Sequence, residues 1–261
     1  MKRLLLILLI LLICTPLGII FAQPPEFSGE ELNYRISYSI FSIGKASVTV
    51  EDLPVADQDQ DKYKVTAKGV TTGLIGVFSK IDDEWGAHVY KDNFKPSFAY
   101  RRIREGRYKR DEDVDFDSAA ITLNEWSFKA GKYKDPVVYE TTDAVYELLS
   151  GMLYVRSLDF STYNEDDLIS FKAFFDGKFY DFKVLYKGKE TVKTKIGKIN
   201  AIKLVPIMPD NSLFDGENSI SIWISDDKNR IPLKIEADMF IGSAGCDITE
   251  VKNIKYPINR S

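Results

Sequence analysis

Apolar and polar side chains alternate with period two along most of this chain, and no other feature constrains its fold as much. Ile220, Ile222 and Ile224 alternate with Ser219, Ser221, Trp223 and Ser225. Asp226, Asp227, Lys228 and Asn229 follow, and then Leu233, Ile235, Ala237, Met239 and Ile241 alternate again. Period two places one set of side chains on one face of a sheet, so this stretch predicts two antiparallel strands joined by a polar turn. The same grammar recurs near residues 31–40, 44–50, 63–69, 84–90, 97–104, 107–116, 121–128, 169–175, 179–186, 191–196, 199–206 and 244–254. Glu105-Gly106, Asp176-Gly177, Lys187-Gly188 and Gly197-Lys198 supply turns, Asp176-Gly177 being suited to a type I′ hairpin. Connections this short imply a continuous antiparallel meander, and about a dozen strands in one sheet must curl into a barrel or partial barrel or split into a sandwich. The chain therefore reads as mainly β: a large antiparallel curved sheet or incomplete β-barrel with one main helix.

That helix is expected over residues 141–158. Thr142 or Asp143 would cap it, and Val145, Leu148, Leu149, Met152, Leu153 and Val155 form its apolar stripe. Gly151 weakens it locally. A shorter helical turn is expected over residues 71–81, where Leu74, Ile75, Val77, Phe78 and Ile81 recur at helical spacing.

The first residues stand outside this pattern. Met1-Lys2-Arg3 is cationic, residues 4–21 are largely apolar, and Phe21-Ala22-Gln23 offers a small residue before a polar start. This is the pattern of a signal peptide over residues 1–22, with an uncleaved anchor as the alternative. Ile13, and not a small residue, precedes Cys14, which argues against lipidation there. Cleavage leaves residues 23–261, expected as a single β-rich domain with no stable membrane span, exported, with the periplasm as the expected compartment. It also removes two bases, so 35 − 2 = 33 bases face 39 acids and the net charge moves from −4 to −6. A mildly acidic chain has no general attraction for nucleic acid. Cys246 is then the only cysteine, so no internal disulfide forms.

Catalytic patterns are sparse. A single histidine, His88, cannot build a multi-histidine metal site, and Cys246 is its only thiol companion. No catalytic residue, metal or cofactor is assigned. The acidic clusters at 82–84, 111–113, 165–167 and 226–227 each adjoin a turn, where Asp favours local backbone hydrogen bonds. Asp57, Asp59 and Asp61 have the spacing that opens an EF-hand loop but lack its glycine and distal Glu. Arg101, Arg102, Arg104, Arg107, Lys109 and Arg110 crowd the Glu105-Gly106 turn. They could bind an anionic headgroup, or pair across strands with Asp111, Glu112 and Asp113. Phe, Trp and Tyr make up 13% of the chain, enough to line a cavity or to fill a large β core. The candidate ligand-binding residues are Tyr100, Arg102, Arg104 and Arg107, with Trp223 on the sheet that curves toward them.

One ordered set of segments resembles a family. It comprises residues 102–112 (RIREGRYKRDE), the helix opening at Asp143, Phe175-Asp176-Gly177-Lys178, Trp223-Ile224-Ser225-Asp226-Asp227 and Arg230-Ile231-Pro232. Together they resemble the bacterial exported proteins grouped as domain of unknown function 3108, over residues 29–251. The resemblance implies export and a β-rich single domain, and it brings no activity or site residues. A fainter similarity, confined to residues 223–235, is to the carriers that move lipoproteins across the periplasm, whose incomplete barrel holds acyl chains under a helical lid. Three functions follow as expectations: binding of a lipid or lipid-linked glycan, an interaction module with an envelope protein as partner, and a carboxylate-based hydrolase.

Overall fold

The computed structural model describes residues 25–54, 60–73, 80–207 and 219–261. Its strands are β1 (Glu31–Tyr38), β2 (Phe41–Asp52), β3 (Lys62–Thr71), β4 (Asp82–Tyr90), β5 (Pro96–Glu105), β6 (Tyr108–Phe116), β7 (Ala120–Ser127), β8 (Lys132–Tyr133), β9 (Val137–Glu140), β10 (Val145–Tyr146), β11 (Leu168–Phe175), β12 (Lys178–Thr194), β13 (Gly197–Pro206), β14 (Ile220–Ser225), β15 (Pro232–Asp238) and β16 (Ser243–Lys252). The helix α1 (Leu148–Ser157) is followed by a 3-10 turn at Phe160–Thr162. Among the described residues the strands form one sheet. It runs from β10 through β11–β16, crosses to β1, and continues through β2–β8, with β9 on the far side of β7. Neighbours are antiparallel except β10 and β11. The predicted mainly-β meander is what forms, and its two ends do not pair, so the barrel stays incomplete.

The chain's first strand pairs with its last, Tyr34 opposite Ile248 and Ile36 opposite Cys246. This antiparallel seam puts β1 mid-sheet and keeps both strands off the edge. Seven strands separate β11 from β3, yet both pack on α1. The sheet must therefore wrap around the helix. Leu149 and Leu153 of α1 join Val50, Tyr63, Val65, Ala87 and Val89 in one core cluster. A second cluster, with Leu32, Tyr34, Ile199, Ala201, Trp223, Leu233 and Ile248, lies across the β13–β1 part of the sheet.

Several expectations are corrected. The helix is shorter than residues 141–158. Val145 and Tyr146 are buried and extended, pairing with Lys172 and Ala173, because a β-branched and an aromatic residue fit a pleated surface. Glu147 is the cap in place of Thr142 or Asp143: its carboxylate accepts from the backbone N–H groups of Leu149 and Ser150, while the Ser150 hydroxyl accepts from the Glu147 N–H. This is a capping box with its two residue types exchanged. Lys187-Gly188 is no turn. The register shifts there, with Gly188 at φ +83°, and β12 continues through a bulge. Met239 and Ile241 do not prolong β15, which ends at Asp238; Ile241 is exposed at the turn. The expected leader over 1–22 and most of the helical turn over 71–81 lie outside the described residues. Among the described residues no helix is long and apolar enough to cross a membrane.

Candidate functional site

The sheet and α1 do not fill the space between them. An apolar groove with a cavity volume of about 170 Å³ lies between the Gly151–Met152–Val155 side of α1 and the inner faces of β11–β15. Phe171, Phe182, Val184, Leu204, Ile222 and Ile235 line its floor, and only Glu147 and Arg156 among its lining residues carry charge. Strand alternation explains the floor: Ile222 and Ile224 share a face, opposite Ile235 and Pro232 of the next strand. Gly151 is the close-approach point of the helix. A Cβ there would stand 3.1 Å from the Phe171 ring. The missing side chain lets the ring reach α1, which is why a helix-weakening residue sits mid-helix.

Both ends of the helix are tied electrostatically. Arg156, only 1% exposed, makes two charge-assisted hydrogen bonds to Glu30, of 2.7 and 2.6 Å. It also donates to the carbonyls of Asn229 and Arg230 and lies 4.3 Å from the Phe27 ring centre. This closes the Ile224–Pro232 end of the groove. At the other end of the helix, burial pushes the Glu147 carboxyl up to about 7, against the opposing pull of the Leu149 and Ser150 N–H groups. Glu147 and Leu148 also line a smaller apolar pocket of about 40 Å³ with Trp85, Phe116, Phe174 and Phe175.

That smaller pocket ends at a charge cluster. Arg101 and Arg110 both pair with fully buried Glu112 and with Asp176 of the β11–β12 turn. The Arg101 guanidinium lies 4.7 Å from the centre of the Phe175 ring. Burial raises the Asp176 carboxyl, but hydrogen bonds from Arg110 and Arg101 outweigh it and hold the group below the usual carboxylate range.

Of the sequence candidates, Tyr100 borders this smaller pocket and the other four do not. Arg102 and Arg104 occupy the opposite face of β5 from Arg101, paired across the hairpin with Asp113 and Asp111. Arg102 stacks 5.0 Å from the Tyr100 ring, and the Tyr100 hydroxyl donates to Glu84 at 2.7 Å. Arg107 is exposed at the turn. Six strands separate Trp223 from these residues along the sheet. Its indole packs in the second core cluster between Lys203 and Lys234 and donates to Glu190. The structure thus gathers Tyr100, Arg102 and Arg104 and leaves Trp223 apart. It also assembles Arg101, Arg110 and Glu112, whose cross-strand pairing was one of the two expected readings, and adds Asp176, which nothing in the sequence joined to them.

The acidic clusters are engaged locally. Glu84 pairs with Lys68, Asp166 with Lys187, and Asp226 with Arg230 and Lys189. The His88 ring packs tilted against Phe98 with centres 5.2 Å apart, and burial with the nearby Lys64 and Lys62 charges lowers its pKa. Cys246 faces Tyr34's cluster, where burial raises its thiol to about 11. Asp57 and Asp59 lie outside the described residues.

The family described as "Protein of unknown function (DUF3108)" matches residues 33–249. Among solved structures, the chain is similar to a beta-barrel-like protein of domain of unknown function DUF1849 from Brucella abortus. The identity is 9%, the match covers 89% of this chain and 100% of that one, and the TM-score is 0.58, a likeness of fold. A candidate lipoprotein from Parabacteroides distasonis aligns at 12% identity over 87% of this chain and 97% of that one, with a TM-score of 0.30. No curated protein matches the chain.

Proposed function

The chain belongs to DUF3108, a family of unknown function, and from that premise we propose an exported cell-envelope protein that binds an apolar or amphipathic ligand without transforming it. The ligand class is a lipid or lipid-linked glycan, and the site is the groove under α1. The observation that carries this reading is the groove's lining, in which two charged side chains stand among fourteen uncharged ones. An apolar cavity of similar size stays dry and admits a benzene-sized guest. The groove therefore suits one acyl or ring segment, with the rest of the ligand outside. Export is supported by the cationic and apolar pattern of residues 1–22.

Mass spectrometry of small molecules released from natively purified protein tests the binding, and the intact mass tests cleavage after Ala22. Ile222→Phe fills the groove from its floor. It should weaken binding of a fluorescent fatty acid about tenfold or more while the folded protein keeps its stability to within about 1.5 kcal/mol. Absence of any co-purifying apolar molecule, with equal fatty-acid binding by both proteins, would rule the groove out.

A further inference from the structure

We infer that the protein docks on a lipid bilayer through two adjoining hairpin tips, the β1–β2 turn and the β15–β16 turn. Pairing of β16 with β1 brings these turns side by side. The Ser39 N–H donates to the Ser243 carbonyl at 2.7 Å, and the Tyr38 hydroxyl donates to the Ile241 carbonyl. A Cβ on Gly242 would stand 2.7 Å from the Ser39 Oγ, so the two turns touch. Ile40 is 89% exposed, Phe41 64%, Phe240 62% and Ile241 80%. Scattered single apolar residues need no explanation, but four large ones gathered on two touching turns mark a contact surface.

Three observations favour a bilayer as the occupant. First, the four side chains stand on exposed turns, and although Ile40 borders a polar cleft with Arg35, Lys234, Glu236 and Asp238, that cleft offers an apolar side chain no matching lining. A deformable interface accepts such a shape, whereas a protein partner would need a matching hollow. Second, residues 38–43 and 239–244 contain no charged side chain, so insertion strands no ion, and the flanking Ser39, Ser42 and Ser243 suit the headgroup layer. Third, β15 carries the groove lining from Pro232, next to the Asn229 and Arg230 carbonyls that hold Arg156, to Ile235, and then runs on to the β15–β16 turn, so that end of the groove points toward these tips. A ligand leaving by that end would meet the membrane. Only this third point rests on the proposed groove function.

Vesicle co-sedimentation of the purified protein tests docking, with phosphatidylcholine vesicles compared against phosphatidylethanolamine–phosphatidylglycerol vesicles. The protein should sediment with both, because apolar insertion and not headgroup charge drives binding. Ile40→Ser with Phe41→Ser, or Phe240→Ser with Ile241→Ser, should each lower partitioning about tenfold or more with the melting temperature unchanged. In a Phe240→Trp variant the introduced indole should shift its emission to the blue when vesicles are added. The Ile222→Phe variant should sediment like the parent protein, so a failed groove and a failed dock give different results. The inference is overturned if the parent protein stays in the supernatant with both vesicle types. It is equally overturned if the four-serine variant sediments like the parent. A concentration-dependent blue shift without vesicles, matched by dimers in sedimentation velocity, would assign the tips to a second copy of this chain.

Discussion

Helix α1 meets the sheet on two flanks, and only one of them is filled. Toward β3 and β4, Leu149 and Leu153 are buried against Val50, Val65, Ala87 and Val89. Toward β11–β15, the helix offers Gly151, Met152 and Val155, and about 170 Å³ remains open above Val184, Leu204 and Ile222. Both flanks are apolar, so hydrophobicity does not distinguish them. Fit does: Leu149 and Leu153 fill their flank, whereas on the other Val155 reaches the Val184–Leu204 cluster, Met152 leans on the first cluster, and Gly151 offers no side chain to close the gap between them. A packed flank anchors the helix, and the other is free to receive a guest.

The comparison can be broken most severely at Arg156. Arg156→Ala leaves the Glu30 carboxylate buried without its partner and should cost about 3–5 kcal/mol, measured by urea unfolding. A loss below about 1 kcal/mol would mean that the helix is held by its packed flank alone. Leu153→Ala cuts that packed flank and should cost about 3 kcal/mol in the same measurement. Met152→Ala, beside the groove, should cost less than Leu153→Ala; equal losses would mean that the two flanks do not differ in packing.

A smaller effect lies in pH. The Glu147 carboxyl rises from 4.5 to about 7 on folding. Between those values the folded protein binds more protons than the unfolded chain, so this group's stabilising contribution is full below about 4.5 and is lost as pH rises through about 7. The loss amounts to a few kcal/mol at most. Thermal melts of Glu147→Gln should show a flatter decline across that window, together with a weaker helix cap. An unchanged pH profile would show that Glu147 is not the group responsible. The smallest effect belongs to the outer ladder of the β5–β6 hairpin. Arg104→Ala removes a partly exposed ion pair with Asp111 and should change stability by less than about 1 kcal/mol.

The arginine hairpin shows how far sequence reading reached. Strand alternation places Arg102 and Arg104 on one face of β5 and Arg101 on the other. It could not say which set faced inward, because each face carries cations beside apolar residues. The structure turns Arg101 inward, where Glu112, Arg110 and Asp176 neutralise one another, and leaves Arg102 and Arg104 outside in the cross-strand pairing anticipated as one of two readings. Trp223 was placed with the arginines because sheet curvature could not be measured from sequence. The capping box at Glu147 was readable in principle, from Glu147 and Ser150 three residues apart, but its reversed order hid it.

Local chemistry settled what short-range forces control. Period-two alternation set the antiparallel meander, and Asp176-Gly177 set a tight hairpin whose two residues both take positive φ, 51° and 71°. These features depend on neighbours a few residues apart, so a linear string records them. Only the tertiary structure decided which face of each strand is inside, how far the sheet wraps α1, and where the core stays open. The Arg156–Glu30 pair joins residues 126 positions apart, and the groove is the gap left between elements whose spacing depends on every strand between them. Burial and cavity are properties of the assembled whole, so alternation could locate the apolar faces but not the space left between them.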